Sequence, residues 1–377
     1  MKITGIRTGE VYGHGYSCYV RVYTDLGIVG TGECIHGGDG IQATIAGLAP
    51  YLLGEDPMNV DRLFEKLRRQ RLFDGAQAGN YVTAMTGVEM ALWDLVGRAT
   101  GLPVYALLGG KFRDRIRIYA DCHAGGDDSP QANADRAREV VDMGFTAIKF
   151  DIDDLGDPHK YDAYNHTINN YELDRMVAKV RAIREAVGPH VDVAADLHAR
   201  YDTSSGIRVA KALEEFRLLW LEEPVPAENA DAMREVKRAT TTPICAGENV
   251  YLRWGFKELI EQQACDVIMP DLNKCCGLSE GKKIANLAEL YYIAMAPHNV
   301  VGPLGTMASC HCCATFPNFL VLEWHWIERP YWFTLVKADP PLIQDGYITL
   351  SDTPGIGVEL VEEEAEKYLR PGTKLFA

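Results

Sequence analysis

The sequence predicts an α/β protein: a barrel of alternating strands and helices joined to a smaller α+β domain. Three observations carry that expectation. From about residue 116, short apolar stretches alternate with amphipathic ones, the pattern of βα units around a parallel sheet. There are eight such stretches, the number that closes a barrel. Each ends in a polar residue, and from Asp196 onward the ends recur about every 25 residues, the length of one βα unit.

Size and composition agree. The chain has 377 residues, 47% of them hydrophobic, which suits a barrel of about 250 residues with an added domain. A formal net charge of −15 argues against nucleic acid as a partner. No apolar run reaches the roughly 18 residues of a membrane span. The start, "MKITGIRTGEVYG", lacks a signal peptide's apolar stretch, so neither membrane nor export is expected. The ten cysteines lie in apolar surroundings ("PICAGEN") or tight clusters ("KCCG", "SCHCCA"), not in a disulfide framework, which points to the cytoplasm. The ligands of "CHCC" are too crowded for a tetrahedral zinc site; a buried helix of small residues explains them better.

Residues 1–115 form the α+β block. "ITGIRTGEVYG" and "SCYVRVYTDLGIVGTGECI" alternate like antiparallel strands with Gly-rich turns. "NYVTAMTGVEMALWDLVGRATG" has helical spacing and stops at Gly101-Leu102-Pro103. Residues 116–349 carry the barrel strands: "RIRIYADCH", "AIKFDI", "VDVAADLH", "LLWLEEP", "PICAGEN", "VIMPDL", "YIAMAPHN" and "LVLEWHW". Between the second and third lies "DIDDLGDPHKYDAYNHTINNYELDR", read as a long loop of roughly 20 residues; loops of that length are usually functional or disordered. Residues 350–377 carry turn signals and a short charged helix, and are expected to return to the first block.

The strand ends are His123, Asp151, Asp196, Glu222, Glu248, Asp271, His298 and Glu323. A single acid there reads equally as a helix cap or a solvated loop charge. A run in register along successive strands does not, because buried charges need partners or a metal. The carboxyl ends of barrel strands are also where barrel enzymes build their sites. Asp196, Glu222 and Glu248 are an oxygen-only set, suited to Mg²⁺ or Mn²⁺ rather than zinc. Of the adjacent acids in "WLEEP", Glu222 shares the strand's facing and Glu223 does not. Asp271, one strand from His298, would hold the imidazole's far nitrogen and leave the near one as a base. In "VDVAADLHAR", Asp196 and His198 stand two apart and would look the same way along the strand.

With "WLEEP", "AGEN", "MPDLNKCCG" and "APHN" around them, these positions resemble the enolase superfamily, in its mandelate racemase-like branch. "GVEMALWDLVGRATGLPVYALLGG" is similar to that family's lead from capping domain to barrel. The resemblance spans nearly the whole chain. It implies a modified (β/α)7β barrel, an N-terminal capping domain completed by the C-terminal segment, and usually a homo-oligomer. It implies Mg²⁺ on Asp196, Glu222 and Glu248, a base dyad of His298 and Asp271, and Glu323 facing the substrate carboxylate as hydrogen-bond donor or electrostatic partner. The shared step is removal of a proton α to a carboxylate, with the metal stabilising the enolate.

Two departures narrow the reaction. Many relatives carry Lys-X-Lys at the second strand, but "KFDID" offers Lys149 and then Asp151, which speaks against a two-base racemase. The Asp-X-His at 196–198 resembles the acid-sugar dehydratases of the branch, the D-galactonate dehydratases among them. There the added histidine protonates the leaving 3-hydroxyl; its alternative is to orient a metal ligand. Lys149, Asp151 and His123, with His14, Tyr16 and His36 from capping loops, are the candidate substrate-binding residues. The resemblance thus implies dehydration of a small-molecule sugar acid, 2R in configuration, to a 2-keto-3-deoxy acid, with D-galactonate and D-gluconate as first candidates. A cycloisomerase of anhydro sugar acids, a racemase or epimerase using Lys149, and a non-catalytic metal-bound barrel are the alternatives.

Overall fold

The computed structural model describes all residues except 36–39, 124, 155–159, 161, 163, 326 and 339. The first block begins with an antiparallel meander, β1 (Ile3–Tyr12), β2 (Tyr16–Thr24) and β3 (Val29–Cys34). The helices α1 (Ile41–Leu48), α2 (Val60–Gln70) and α3 (Gly79–Thr100) pack on it, and α4 (Val104–Leu107) leads out. α3 is almost wholly buried, which its run of Val, Met, Ala and Leu requires. It can lie close on β3 because Gly30 and Gly32 face it. A Cβ on Gly30 would stand 2.1 Å from the Ala91 carbonyl oxygen, and one on Gly32 would stand 2.5 Å from the Gly87 carbonyl oxygen. The helix stops at Gly101, whose φ of +71° closes it in the left-handed region.

The parallel strands β4 (Arg115–Asp121), β5 (Ala147–Asp151), β6 (Asp192–Asp196), β7 (Leu221–Glu222), β8 (Ile244–Ala246), β9 (Val267–Ile268), β10 (Ala294–Met295) and β11 (Leu322–Trp324) follow. They pair in chain order from β4 to β10, and β11 pairs with β4. Residues before β11 close the ring, with Met295 N donating to Asn318 O at 2.9 Å and Leu320 N to Met295 O at 2.8 Å. Between successive strands run α5 (Pro130–Asp142), α6 (Asn170–Val187), α7 (Thr203–Ala212), α8 (Ala230–Arg238), α9 (Leu252–Glu261), α10 (Gly277–Glu289) and α11 (Pro303–Ala314). Among the described residues this is eight strands and seven intervening helices, the expected (β/α)7β order.

One expectation needs correcting. The long "loop" after β5 ends earlier than its composition suggested. Asn170–Arg175 are the first turns of α6, started by a capping box in which Asn169 accepts from Glu172 N and Glu172 accepts from Asn169 N. The Asn-X-X-Glu spacing was readable, but the polar run before it masked it. Part of the remaining stretch lies outside the described residues.

The C-terminal segment covers both domains. β12 (Ile343–Gln344) and β13 (Tyr347–Thr349) form a hairpin against the start of β4. After α12 (Glu362–Ala365), Arg370 N donates to Glu10 O at 3.0 Å and Phe376 N to Thr8 O at 3.1 Å, on the edge of β1. Two buried acids of the first block hold the barrel from the other side. Glu89 on α3 accepts from Leu278 N and Ser279 N at 3.0 Å each, at the start of α10. Glu33 on β3 accepts from Gly302 N at 2.5 Å and Gly305 N at 3.0 Å, at the start of α11. Each carboxyl thus satisfies orphan N–H groups at the positive end of a helix dipole, while burial pushes both groups up, Glu33 to about 7. All ten cysteines are free and buried. No helix among the described residues is long and apolar enough to cross a membrane.

Candidate active site

Barrel strands send alternate residues inward, and the inward rows change character as they rise. Low in the barrel Tyr119, Ala147, Ala194, Trp220, Val267 and Val321 form a buried apolar plug. Two residues further along the same rows stand Asp121, Lys149, Asp196, Glu222 and Glu323. The ladder registers them, pairing Asp121 with Lys149 and Asp196 with both Asp151 and Glu222.

Lys149 is the centre of this layer. Its Nζ lies 2.9 Å from Glu222 Oε1, 2.9 Å from Glu323 Oε1, 3.3 Å from Asp196 Oδ2 and 3.5 Å from Asp121 Oδ2. Burial opposes its charge, but Glu222 and Glu323 outweigh that and hold the ammonium well above its ordinary value. An amine so held is no base. Burial pushes Glu323 up, but Lys149 and His298 outweigh it and hold the carboxyl well below the usual range. Its Oε2 also accepts from Asn299 N at 2.9 Å, so of the two expected roles the geometry favours the electrostatic one.

Asp196, Glu222 and Glu248 each offer an oxygen within 4.8 Å of the others. Burial and the neighbouring Asp196 push Glu222 well up. Asp196 is buried too, yet Lys149 and His198 draw it down. Two touching buried carboxylates cannot both stay ionised without a proton or a cation between them, and an oxygen-only donor set fits a hard divalent ion. Glu223 turns away, accepting from Gly247 N at 3.2 Å and Asn249 Nδ2 at 3.3 Å.

His298 Nδ1 lies 2.6 Å from Asp271 Oδ2. A carboxylate only accepts, so Nδ1 carries the proton. Nε2 faces the cluster, 3.3 Å from Glu248 Oε2 and 3.6 Å from Glu323 Oε2. Burial opposes charge on the ring, but Glu323, Glu248 and Asp271 by themselves push it up to about 10; a divalent ion on Glu248 would offset that push and free Nε2 to act as a base. On the other side His198 Nε2 lies 3.7 Å from both Asp196 Oδ2 and Asp151 Oδ1. Burial again opposes charge, and Asp153, Asp196 and Asp151 push it up to about 10. The two side chains do converge, but not by strand alternation. β6 stops at Asp196, and His198 and Ala199 both adopt left-handed φ values, +46° and +58°. The turn is held by His198 N donating to Asp196 Oδ1 at 2.7 Å.

These groups wall a cavity of about 360 Å³ together with His14, Ile35, Asp121, Lys274, Val300 and His325. The sequence reading missed His325, two residues beyond Glu323 on the same inward row. Its ring stacks on His14 at 4.1 Å, and its Nε2 lies 2.8 Å from His123 Nε2. Burial, then His14 and His123, hold it well below the ordinary histidine value. His123 stands beside the cavity, its Nδ1 3.4 Å from Asp151 Oδ2. Tyr16 packs on Tyr12 and Arg370 and is not among the residues that line this cavity. His36 lies outside the described residues. A larger cavity of about 840 Å³ opens beside Ala199 and Asn249, under Arg68 and Trp254, with none of the ligand or base candidates in its wall.

Known proteins match along the whole chain. Residues 13–109 match the profile of the mandelate racemase/muconate lactonizing enzyme N-terminal domain, and residues 132–365 that of enolase C-terminal domain-like proteins. A D-xylonate dehydratase of Haloferax volcanii is 43% identical over 376 residues, covering 100% of this chain and 90% of the relative. A D-galactonate dehydratase of Verminephrobacter eiseniae is 34% identical over 370 residues, covering 96% and 93%. The crystal structure of a mandelate racemase/muconate lactonizing enzyme-like protein from Rubrobacter xylanophilus superposes with a TM-score of 0.95 at 48% identity, covering 100% of this chain and 99% of that one.

Proposed function

The chain belongs to the mandelate racemase/muconate lactonizing enzyme family of enolase-like proteins, and from that footing we propose that it is a Mg²⁺-dependent sugar-acid dehydratase. The observation that carries this is the pair of histidines on two sides of one carboxylate triad, His298 against Glu248 and His198 against Asp196. A base and an acid flanking a metal site are what elimination of water needs. Lys149, locked among four carboxylates, cannot serve as the second base of a racemase.

On this reading Asp196, Glu222 and Glu248 would hold the ion, which when bound would neutralise charge developing on the substrate carboxylate. His298 Nε2 takes the C2 proton, while Asp271 keeps its Nδ1–H in place. The C2–H electron pair forms the C2=C3 bond. The C3–O bond breaks as His198 gives its proton to the departing oxygen. The enol product then gains a proton at C3 and loses the one on its 2-hydroxyl to solvent, becoming the 2-keto-3-deoxy acid. The relatives named above support D-xylonate and D-galactonate as substrates to try first, with D-gluconate; all three are 2R acids with the same C3 configuration.

The test is turnover of these acids by the Mg²⁺-loaded enzyme, with EDTA and His298→Asn as controls. Formation of 2-keto-3-deoxy acid should need the ion. Loss of the base should cost about 10²–10⁴ in kcat and abolish exchange of the C2 proton with deuterated solvent. Undiminished turnover in His298→Asn would overturn the assignment.

A further inference from the structure

We propose that Asp153 is a positioning residue that fixes the tautomer and direction of His198, giving the acid side of the site a carboxylate–imidazole pair of its own. This rests on the dehydratase reading and assigns one more residue to it.

Asp153 follows Asp151 by two residues and Lys149 by four, so it continues the inward row of β5 past the strand's end. Its side chain is 2% exposed. Oδ1 lies 3.0 Å from His198 Nδ1, and Oδ2 pairs with Arg200 Nε at 2.7 Å. The carboxylate is thus clamped between two partners that are themselves two residues apart. Arg200 fixes which oxygen faces the ring. Since a carboxylate only accepts, the facing nitrogen must carry hydrogen. Nδ1–H is therefore retained, and Nε2 is the nitrogen left facing the cavity.

The backbone supports this. His198 and Ala199 occupy left-handed conformations that L-residues rarely adopt. Three backbone donors hold them there: His198 N to Asp196 Oδ1 at 2.7 Å, Ala199 N to Glu223 O at 2.8 Å and Arg200 N to Leu197 O at 3.1 Å. Strained backbone held by surrounding bonds is characteristic of sites where direction matters. The arrangement repeats that of Asp271 and His298 across the cavity, at 3.0 Å instead of 2.6 Å.

The chemistry follows from the tautomer. A doubly protonated His198 gives its Nε2 proton to the C3 oxygen; that N–H bond and the C3–O bond break, and water leaves. The neutral ring that remains has its hydrogen on Nδ1, where Asp153 accepts it. Asparagine at 153 would keep its carbonyl oxygen on Arg200 and turn its NH₂ toward the ring. Nδ1 would then become an acceptor, and Nε2–H would belong to a neutral imidazole, a very weak acid.

The experiment compares the Mg²⁺-loaded wild type, Asp153→Asn, His198→Asn and the double variant on the sugar acid and on its 3-deoxy-3-fluoro analogue. Fluoride leaves with less need for a proton. Asp153→Asn should lose about 10²-fold or more in kcat on the sugar acid, yet stay within about threefold of wild type on the analogue and in C2 proton exchange. Adding Asp153→Asn to His198→Asn should cost nothing further. Equal loss on both substrates, undiminished turnover of the sugar acid, or an additive double variant would overturn the proposal. Should Asp153→Asn not fold, ¹⁵N shifts of His198 in the wild type, followed as the ring loses its first proton, decide: a neutral ring that keeps its hydrogen on Nδ1 supports the assignment, and one that keeps it on Nε2 refutes it. That measurement needs no turnover, so it stands apart from failure of the dehydratase reading, which would appear as an inert wild type.

Discussion

Lowering the pH from about 7.5 to about 5.0 should cost the protein about 2 kcal/mol of folding stability through a single residue, His311. The imidazole is fully buried in α11. Tyr105 N donates to its Nδ1 at 3.3 Å, so the ring hydrogen sits on Nε2, which donates to Ile356 O at 3.2 Å. Both nitrogens are satisfied in the neutral ring. A second proton on Nδ1 would confront the Tyr105 N–H with no water to solvate it. Burial therefore pulls the pKa from 6.5 down to about 4. Between these values the unfolded chain binds more protons than the folded one. The stabilising contribution is intact above pH 6.5 and drains away as the pH falls toward 4. Linkage puts the loss at about 2 kcal/mol at pH ~5 and about 3 kcal/mol once the pH is below ~4. His311→Gln removes the titration and adds a cost that does not vary with pH. Urea unfolding of both proteins at the two pH values isolates the term from every other titrating group. The stability advantage of wild type over the variant should shrink by about 2 kcal/mol at the lower pH. A difference that stayed constant would refute the argument.

Two further outcomes are expected. Asp196→Asn, Glu222→Gln and Glu248→Gln should each weaken Mn²⁺ binding, followed by electron paramagnetic resonance in the absence of substrate, by about 10²-fold or more with unchanged circular dichroism; wild-type affinity in any one would remove that residue from the ligand set. Glu89→Gln should lower unfolding free energy by about 1–3 kcal/mol, because one of two buried N–H groups at the start of α10 loses its acceptor and meets an amide NH₂ instead; an unchanged urea midpoint would show that the cap is dispensable.

The barrel was legible because its two signals are independent of packing detail. Apolar strands with a helical interval give the architecture, and polar strand ends in register give the rim. The rim residues off that register were harder to find. Asp121, Asp153 and His325 each stand two residues from a position that was found, His123, Asp151 and Glu323. Same-face alternation carried a step past the strand boundary would have named all three. His198 shows why that step was not obvious: β6 ends before it, and a left-handed turn, not alternation, delivers the ring. Tyr16 is not in the cavity wall, and a Gly-flanked turn predicts that the chain reverses and not where it faces. Glu33 and Glu89 were invisible because an acid within an apolar run does not declare which helix end will satisfy it.

Position 151 is where the proposed chemistry is decided. A lysine there would sit beside Asp196 in the ladder and supply a second base. The aspartate found there instead lies 3.7 Å from His198 Nε2 and 3.4 Å from His123 Nδ1, so it gathers imidazoles on the side of the cavity away from His298. Lys149 cannot compensate, because its charge is already spent on Glu222 and Glu323 at 2.9 Å each. Moving it toward a substrate would leave buried carboxylates uncompensated, which is costlier than leaving it in place. On the proposed reading the site therefore offers one base on one side and proton donors on the other. That asymmetry favours removal of a proton from C2 with loss of the neighbouring hydroxyl, and disfavours returning a proton to the opposite face of C2.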